Sequence, residues 1–379
     1  MKKRILAITG KRGGYEAMLP LLYFLEKDKR LEITLILCDQ HYMQKFGRTH
    51  DKIDFPHVGV CPITEEDFPL ARAKNLGRYV SELAAYFTIK KPDLILLYGD
   101  RGEVAAAALA AATLEIPVAH LQAGDTTGNV DDIYRGMISQ TANLLFTSCD
   151  KYRDDLLKSN YQPERIFVAG DQHLDGVRIS RYNDKAKLEV CQALGFEKQR
   201  EALGIIILHP GIGGAIHDEN VVNNTLSACT SYSMIQWVAI YPCSDPGHQM
   251  IIDKLREHRE KVNNLSLHKN IPSKVFHWLL YYSELIVGNS SCGIIEAPFL
   301  GTPSIDIGTR QNGRTKSASI YSAPCGNYRE IEQGISKCIK YDSFFNVYFG
   351  NGKAYVKIGE VIVDAFFGHL QYLLEPKYR

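Results

Sequence analysis

The chain has 379 residues, 45% hydrophobic and 23% charged, enough apolar material for two substantial cores and too much for a disordered polymer. Its 44 Lys and Arg against 43 Asp and Glu leave a formal charge of +1, which excludes the strongly basic footprint of a nucleic-acid or acidic-membrane binder. No run approaches the roughly 18 apolar residues of a membrane span, the run Ile5 to Ile8 is too short for a secretory core, and nine cysteines stand singly without a C-x-x-C pair. A reduced, cytoplasmic chain with no metal site and a compact ligand is expected.

Short apolar runs alternate with longer helical patterns, the signature of repeated βαβ units around parallel sheets. Strands are predicted at Ile5–Thr9, Glu32–Leu37, Leu94–Leu97, Val118–Leu121, Leu144–Thr147 and Ile166–Val168. A second series is predicted at Ile205–Leu208, Trp237–Ile240, Leu265–His268, Leu285–Val287 and Ser304–Ile307. Polar sequence between the series puts a boundary near Gly170. The expected division is a first α/β domain over 1–170, a second over 171–358, and a closing segment 359–379. In that last segment Val361–Leu374 reads as an amphipathic helix that covers the first domain. Two doubly wound domains would set their strand ends, and the ligand, along a shared cleft.

Four segments carry chemistry. After the first strand comes Gly10-Lys11-Arg12-Gly13-Gly14, a loop whose backbone N–H groups and Arg12 suit a phosphate, though a plain glycine-rich βα turn reads the same way. Next, Asp100 and Arg101 close one strand, and His120-Leu121-Gln122 leads into an acidic loop with Asp125, Asp131 and Asp132. Carboxylates grouped near cations can supply a proton acceptor and a donor, while Asp131 and Asp132 equally suit the first turn of the helix near Ile133. His209-Pro210 sits at a strand's carboxyl end, whereas His120, on a buried strand, reads as a core histidine. Last, Gly288-Asn289-Ser290-Ser291 precedes a helix containing Glu296, with Arg310 and Arg314 after the following strand; hydroxyls, helix N–H groups and guanidinium forks suit a ribose and a diphosphate.

These residues resemble the hydrolysing UDP-N-acetylglucosamine 2-epimerases of sialic and legionaminic acid synthesis. The family's G-N-S-S-x-G, E, G-x-P and G-x-R-Q-x-G-R are matched by Gly288 to Gly293, Glu296, Gly301 to Pro303 and Gly308 to Arg314. Its G-D-R, I-P-x-x-H, D-D-x-x-R, H-P and Y-P-x-x-D-x-G are matched at Gly99 to Arg101, Ile116 to His120, Asp131 to Arg135, His209-Pro210 and Tyr241 to Gly247. The resemblance implies two Rossmann-like domains in a GT-B arrangement, with nucleotide on the C-terminal half and sugar on the N-terminal half. It implies proton removal at sugar C2, loss of nucleoside diphosphate to a glycal, and addition of water with inversion, without a cofactor. On this resemblance Asp100, Asp131, Asp132 and His209 belong to the catalytic set. Ser290, Ser291 and Glu296 hold ribose and phosphate, and Arg12, Arg101, Arg135, Arg310 and Arg314 face the anionic substrate. A homodimer is expected.

Two departures stand out. The family's H-I-E-G-G-[DE] becomes His120-Leu121-Gln122-Ala123-Gly124-Asp125, so Gln122 orients rather than titrates and the base falls to Asp125 or Asp131. Its R-H becomes Arg135-Gly136 and its H-P-x-T-T becomes His209-Pro210-Gly211-Ile212-Gly213, which points to a reshaped sugar pocket. A GT-B glycosyltransferase and a catalytically silent nucleotide-sugar binder are the competing functions.

Overall fold

The computed structural model describes residues 2–44, 48–66, 68–126, 131–179, 182–196, 202–211, 215–242, 247–340 and 346–375. Residues 127–130 of the acidic loop, Ile212, Gly213 and Asp245 lie outside them. The chain forms two compact units, Met1–Gly176 with Phe349–Arg379, and Val177–Tyr348.

The first unit is a seven-stranded sheet of β1 (Lys3–Thr9), β2 (Leu31–Cys38), β3 (His57–Val60), β4 (Leu94–Tyr98), β5 (Val118–Leu121), β6 (Leu144–Thr147) and β7 (Ile166–Val168). Its order is β3-β2-β1-β4-β5-β6-β7, with every neighbouring pair parallel. Parallel strands are buried on both faces and read as continuous aliphatic runs; β4, Leu-Ile-Leu-Leu-Tyr, is buried throughout. Helix α1 (Arg12–Glu26) covers one face, and α2 (Pro69–Lys90) and α3 (Gly102–Thr113) cover the other. The chain builds outward from β1 to β3 and then returns to the other side of β1 with β4. The carboxyl ends of β1 and β4 therefore flank a topological switch point, where open α/β sheets hold ligands.

The second unit repeats the plan with β8 (Leu203–Ile207), β9 (Gln236–Ile240), β10 (Leu265–His268), β11 (Leu285–Gly288), β12 (Ser304–Ile307) and β13 (Ile320–Ala323). All pairs are parallel in the order β10-β9-β8-β11-β12-β13, which puts the switch point between β8 and β11.

Two strands escaped the sequence pattern, β3 and β13. Each is a sheet edge with only its last residue buried, so neither needs the apolar run that marks an interior strand. The last helix also differs. Helix α13 runs Ala354–Phe367 and is followed by a 3-10 turn at Gln371–Leu374, seven residues earlier at its start than the pattern from Val361 suggests. It packs on the first unit, with Ile358, Ile362 and Phe366 in one apolar cluster with Leu21, Leu22 and Leu25 of α1. At Gly359 a Cβ would collide with the Phe24 ring. The helix start is set from a distance: Asp175, fully buried, accepts the N–H groups of Ala354 and Tyr355, each at 2.8 Å. The return to the first unit thus begins at Phe349 rather than 359, and the crossing into the second unit falls at Val177 rather than 170.

Burial pushes the Asp175 carboxyl up to about 7, with the neighbouring Asp171 adding to the rise and the two N–H groups and His173 opposing it. A carboxyl whose folded pKa lies above its unfolded value of about 4 stabilises the fold below that value, and the contribution is lost as pH rises toward 7. Thermal melts should therefore show stability falling between about pH 4 and about pH 7, by an amount on the order of a few kcal/mol, and levelling off above that. Asp175→Asn, nearly isosteric with the protonated acid, should flatten that slope.

Candidate active site

At the first switch point the sequence leaves β1 through Gly10 and Lys11 and leaves β4 through Gly99, Asp100 and Arg101. A Cβ at Gly10 would overlap the Glu103 carboxylate, so a side chain there would have to displace it from Arg101. Glu103 accepts from Arg101 Nε at 2.8 Å, and Asp39 accepts from the same guanidinium at 2.9 Å. Arg101 is thereby engaged within its own unit. Burial works against its charge, and Glu103 and Asp39 outweigh that. Asp39 itself is pushed up to about 6 by burial and by Glu103, against the pull of Arg101. Arg12, the first residue of α1, is half-exposed and donates to Glu16 at 2.8 Å.

The centre of the first site is Arg135, only 3% exposed. It stands on α4 (Asp131–Thr141) and donates to the Asp125 carbonyl at 2.6 Å, to Asp132 at 3.3 Å and to the Asp100 carboxylate. Asp125 is buried and accepts the Ser148 hydroxyl at 2.7 Å. Asp131 opens α4 and is half-buried. Its carboxyl is raised by burial and by Asp100, while Lys11, Arg101 and Arg135 pull it back. Asp100, Asp131, Asp132 and Arg135 are thus one electrostatic group. Two carboxyls held close with a shared cation let one ionise and the other resist ionising.

His120 lies outside this group's chemistry. It is fully buried, with Nε2 2.8 Å from the Gly99 carbonyl and Nδ1 2.9 Å from the Ser139 hydroxyl. A carbonyl only accepts, so Nε2 carries the proton and Nδ1 accepts from Ser139. Burial pulls its pKa down to about 4, keeping the ring neutral.

Gln122 follows β5 with a positive φ of 59°, a conformation that costs a residue with a Cβ and aims its side chain across the sheet edge. Its amide donates to Asp171 Oδ2 at 3.0 Å. Asp171 Oδ1 accepts from the His173 backbone N–H at 2.9 Å and faces His173 Nδ1 at 3.0 Å. Tyr98 Oη stands 3.1 Å from the same ring nitrogen. Asp171 and His173 were missed in the sequence because they follow the short strand β7 in a stretch that reads as interdomain connection; a Gly-Asp-Gln-His run directly after an apolar strand was the available signal.

In the second unit Asn289 is the hub. Fully buried, it accepts the His209 N–H at 2.7 Å and donates to the His209 carbonyl at 2.8 Å. Its own carbonyl accepts from Arg310 at 3.2 Å and from Gln311 at 3.0 Å. His209, Arg310 and the Ser290-Ser291 loop are therefore brought to one place, with Arg314 half-buried just beyond, in the turn closed by its N–H to the Gln311 carbonyl at 3.0 Å. The helix expected over Glu296 is a 3-10 turn at Ser291–Gly293 followed by the five-residue α11 (Glu296–Leu300). The N–H groups of Gly293, Ile294 and Ile295 bond the carbonyls of Ser290 and Ser291, so these groups are engaged within the turn rather than presented as a long helix's N-terminus. Glu296 begins α11 half-buried, near Cys292, whose thiol is raised to about 12 by burial and by Glu296. Among the described residues no cluster of three His, Cys, Asp or Glu is placed to hold a metal, and no helix is long and apolar enough to cross a membrane.

Comparison with known proteins fits this geometry. A diacetylbacillosamine 2-epimerase (hydrolyzing) of Legionella pneumophila, named for the UDP-linked sugar, is 27% identical, covering 93% of each chain. A UDP-N-acetylglucosamine 2-epimerase of Neisseria meningitidis is 29% identical over 84% of this chain and 83% of its own. A GDP/UDP-N,N'-diacetylbacillosamine 2-epimerase (hydrolyzing) of Campylobacter jejuni is 27% identical over 89% and 87%. Among solved structures, the Neisseria meningitidis UDP-GlcNAc 2-epimerase bound to UDP-GlcNAc superposes with a TM-score of 0.79 at 21% identity, covering 95% of this chain and all of that one. A Staphylococcus aureus protein solved with UDP gives 0.80 at 18%, covering 97% and 98%. The likeness shows the fold, two Rossmann-like α/β units of the GT-B type. The profile of the family described as UDP-N-acetylglucosamine 2-epimerase matches residues 24–363, and the chain belongs to that family of enzymes.

Proposed function

We propose that this enzyme is a hydrolysing 2-epimerase of a nucleotide-linked 2-acetamido sugar, releasing nucleoside diphosphate and the free C2-inverted sugar for nonulosonic acid synthesis in the cytoplasm. The substrate is UDP-N-acetylglucosamine or a UDP- or GDP-linked 2,4-diacetamido-2,4,6-trideoxyglucose. The observation that carries the reading is Asp131, half-buried beside Asp100 and Arg135 at the β1–β4 switch point with its carboxyl raised. Removing a weakly acidic C–H calls for a base stronger than a solvated carboxylate, and burial beside a like charge supplies one. Asp131 takes the C2 proton, the C2–H pair becomes the C1=C2 bond, and the C1–O bond breaks with its pair to the departing diphosphate. His209, Arg310 and Arg12 offset the charge that develops there, while Ser290, Ser291 and Glu296 hold phosphate and ribose. Water then adds its oxygen to C1 and C2 regains a proton on the other face. The names of the Legionella and Campylobacter relatives support the hydrolytic outcome. Gln122 favours a second reading, a nucleotide-sugar binder without turnover, because an amide cannot take up a proton.

The deciding experiment incubates the pure protein with a panel of UDP- and GDP-linked 2-acetamido sugars in deuterium oxide and follows the products by NMR. Free diphosphate and a free C2-epimer carrying deuterium at C2 are expected. A nucleotide-linked epimer would overturn hydrolysis, and binding without product would establish the silent binder. Asp131→Asn should lower turnover by about a hundredfold to ten-thousandfold, with calorimetric affinity for the nucleoside diphosphate nearly unchanged.

A further inference from the structure

Inversion at C2 needs two proton carriers, one to take a proton from one face and one to return it to the other. Asp131 fills the first position in the reading above, on which this inference rests. The residue that resembles the family's second acid is Gln122, and it carries no exchangeable acidity. The structure supplies a titratable group at the end of the Gln122 side chain. Its amide reaches Asp171, whose buried carboxylate also faces His173 Nδ1 at 3.0 Å. The imidazole is 34% exposed where the carboxylate is 0%. Tyr98 Oη, 3.1 Å from Nδ1, stands at the end of β4 next to Gly99 and Asp100, so the ring shares the sheet edge that carries Asp100. An acid that is buried, an imidazole that is partly open and a hydrogen bond between them is the arrangement that fixes a histidine's tautomer and supports its charged form. The amide at position 122 belongs to the same design. A carboxylate there would stand against the buried Asp171 carboxylate, whereas an amide donates to it. The positive φ of Gln122 is the backbone distortion that makes the reach possible.

We propose that His173 is the second proton carrier and Asp171 its positioning residue. In the addition step the water oxygen bonds to C1 of the glycal, the C1=C2 pair forms the new C2–H bond, and the proton comes from imidazolium Nε2. The proton that the water gives up passes to solvent, from which the imidazole is recharged. Titratable groups beside the ring include Asp171 and Tyr98, and Asp175 interacts with it electrostatically.

The test compares wild type, His173→Asn, His173→Gln and Asp171→Asn on the substrate found active, in deuterium oxide, with nucleotide binding by calorimetry to show that each variant is folded. Both His173 variants should bind nucleoside diphosphate as wild type does and still release it from substrate. They should accumulate the 2-acetamido glycal, with formation of free sugar down about a hundredfold to ten-thousandfold. Asp171→Asn should move the alkaline limb of kcat/KM to lower pH, because the imidazolium loses its carboxylate and the acid form is the one required. Free sugar at the wild-type rate from the His173 variants, loss of diphosphate release without glycal, or an unmoved limb in Asp171→Asn would overturn the assignment. A wild-type protein that yields no free sugar overturns the functional reading instead, an outcome visible before any variant is made.

Discussion

A guanidinium with no access to water has to be neutralised where it stands. Arg135 meets that demand from three directions: the Asp100 carboxylate after β4, the Asp125 carbonyl after β5 and Asp132 one turn back on its own helix. Withdrawing an ion from water costs several kcal/mol, and removing one partner of a buried pair leaves the other uncompensated. The ends of β4 and β5 and the start of α4 are therefore fixed relative to one another, and Asp131 is carried into place beside Asp100. The raised carboxyl of Asp131 is a by-product of this packing: the site that desolvates Arg135 also desolvates its neighbour.

The second unit solves the same problem of joining strand ends without using charge. An amide holds a donor and an acceptor in one plane, and Asn289 spends both on the backbone of His209. Its position is forced by the preceding residue. Strands β8 and β11 approach so closely that a Cβ at Gly288 would strike the Ile207 carbonyl, and the chain turns there with φ 150°. Only glycine accepts both conditions. Because the Asn289 carbonyl also receives Arg310 and Gln311, three motifs spread over residues 209 to 311 form a single hub.

How much of this could be read in the sequence follows burial and distance. Interior strands declare themselves as aliphatic runs because both faces are covered, while β3 and β13, half in water, do not. The placement of Asp100 and His209 just beyond strand ends was legible from the apolar runs that precede them, as was that of Asp131 at the start of a helix. The Arg101 side chain was readable as a cation but not as one already engaged by Asp39, 62 residues away. The start of α13 was hidden for the same reason, since its capping carboxylate, Asp175, lies 179 residues before Ala354. Local pattern reports what a residue is suited to; only the fold reports which of those uses is taken.

Gln122 shows the limit most sharply. Taken alone, an amide in place of an acid reads as a lost base. Set beside Asp171 it reads differently, because the two side chains meet at 3.0 Å in a buried place where two carboxylates would repel with little solvent to screen them. An acid at 171 therefore calls for a donor at 122, and the donor that matches the shape of glutamate is glutamine. The negative charge beside Gln122 stands on Asp171, whose other oxygen lies 3.0 Å from His173 Nδ1. The pair joins two positions 49 residues apart in the sequence, so neither residue alone reports the role of the other.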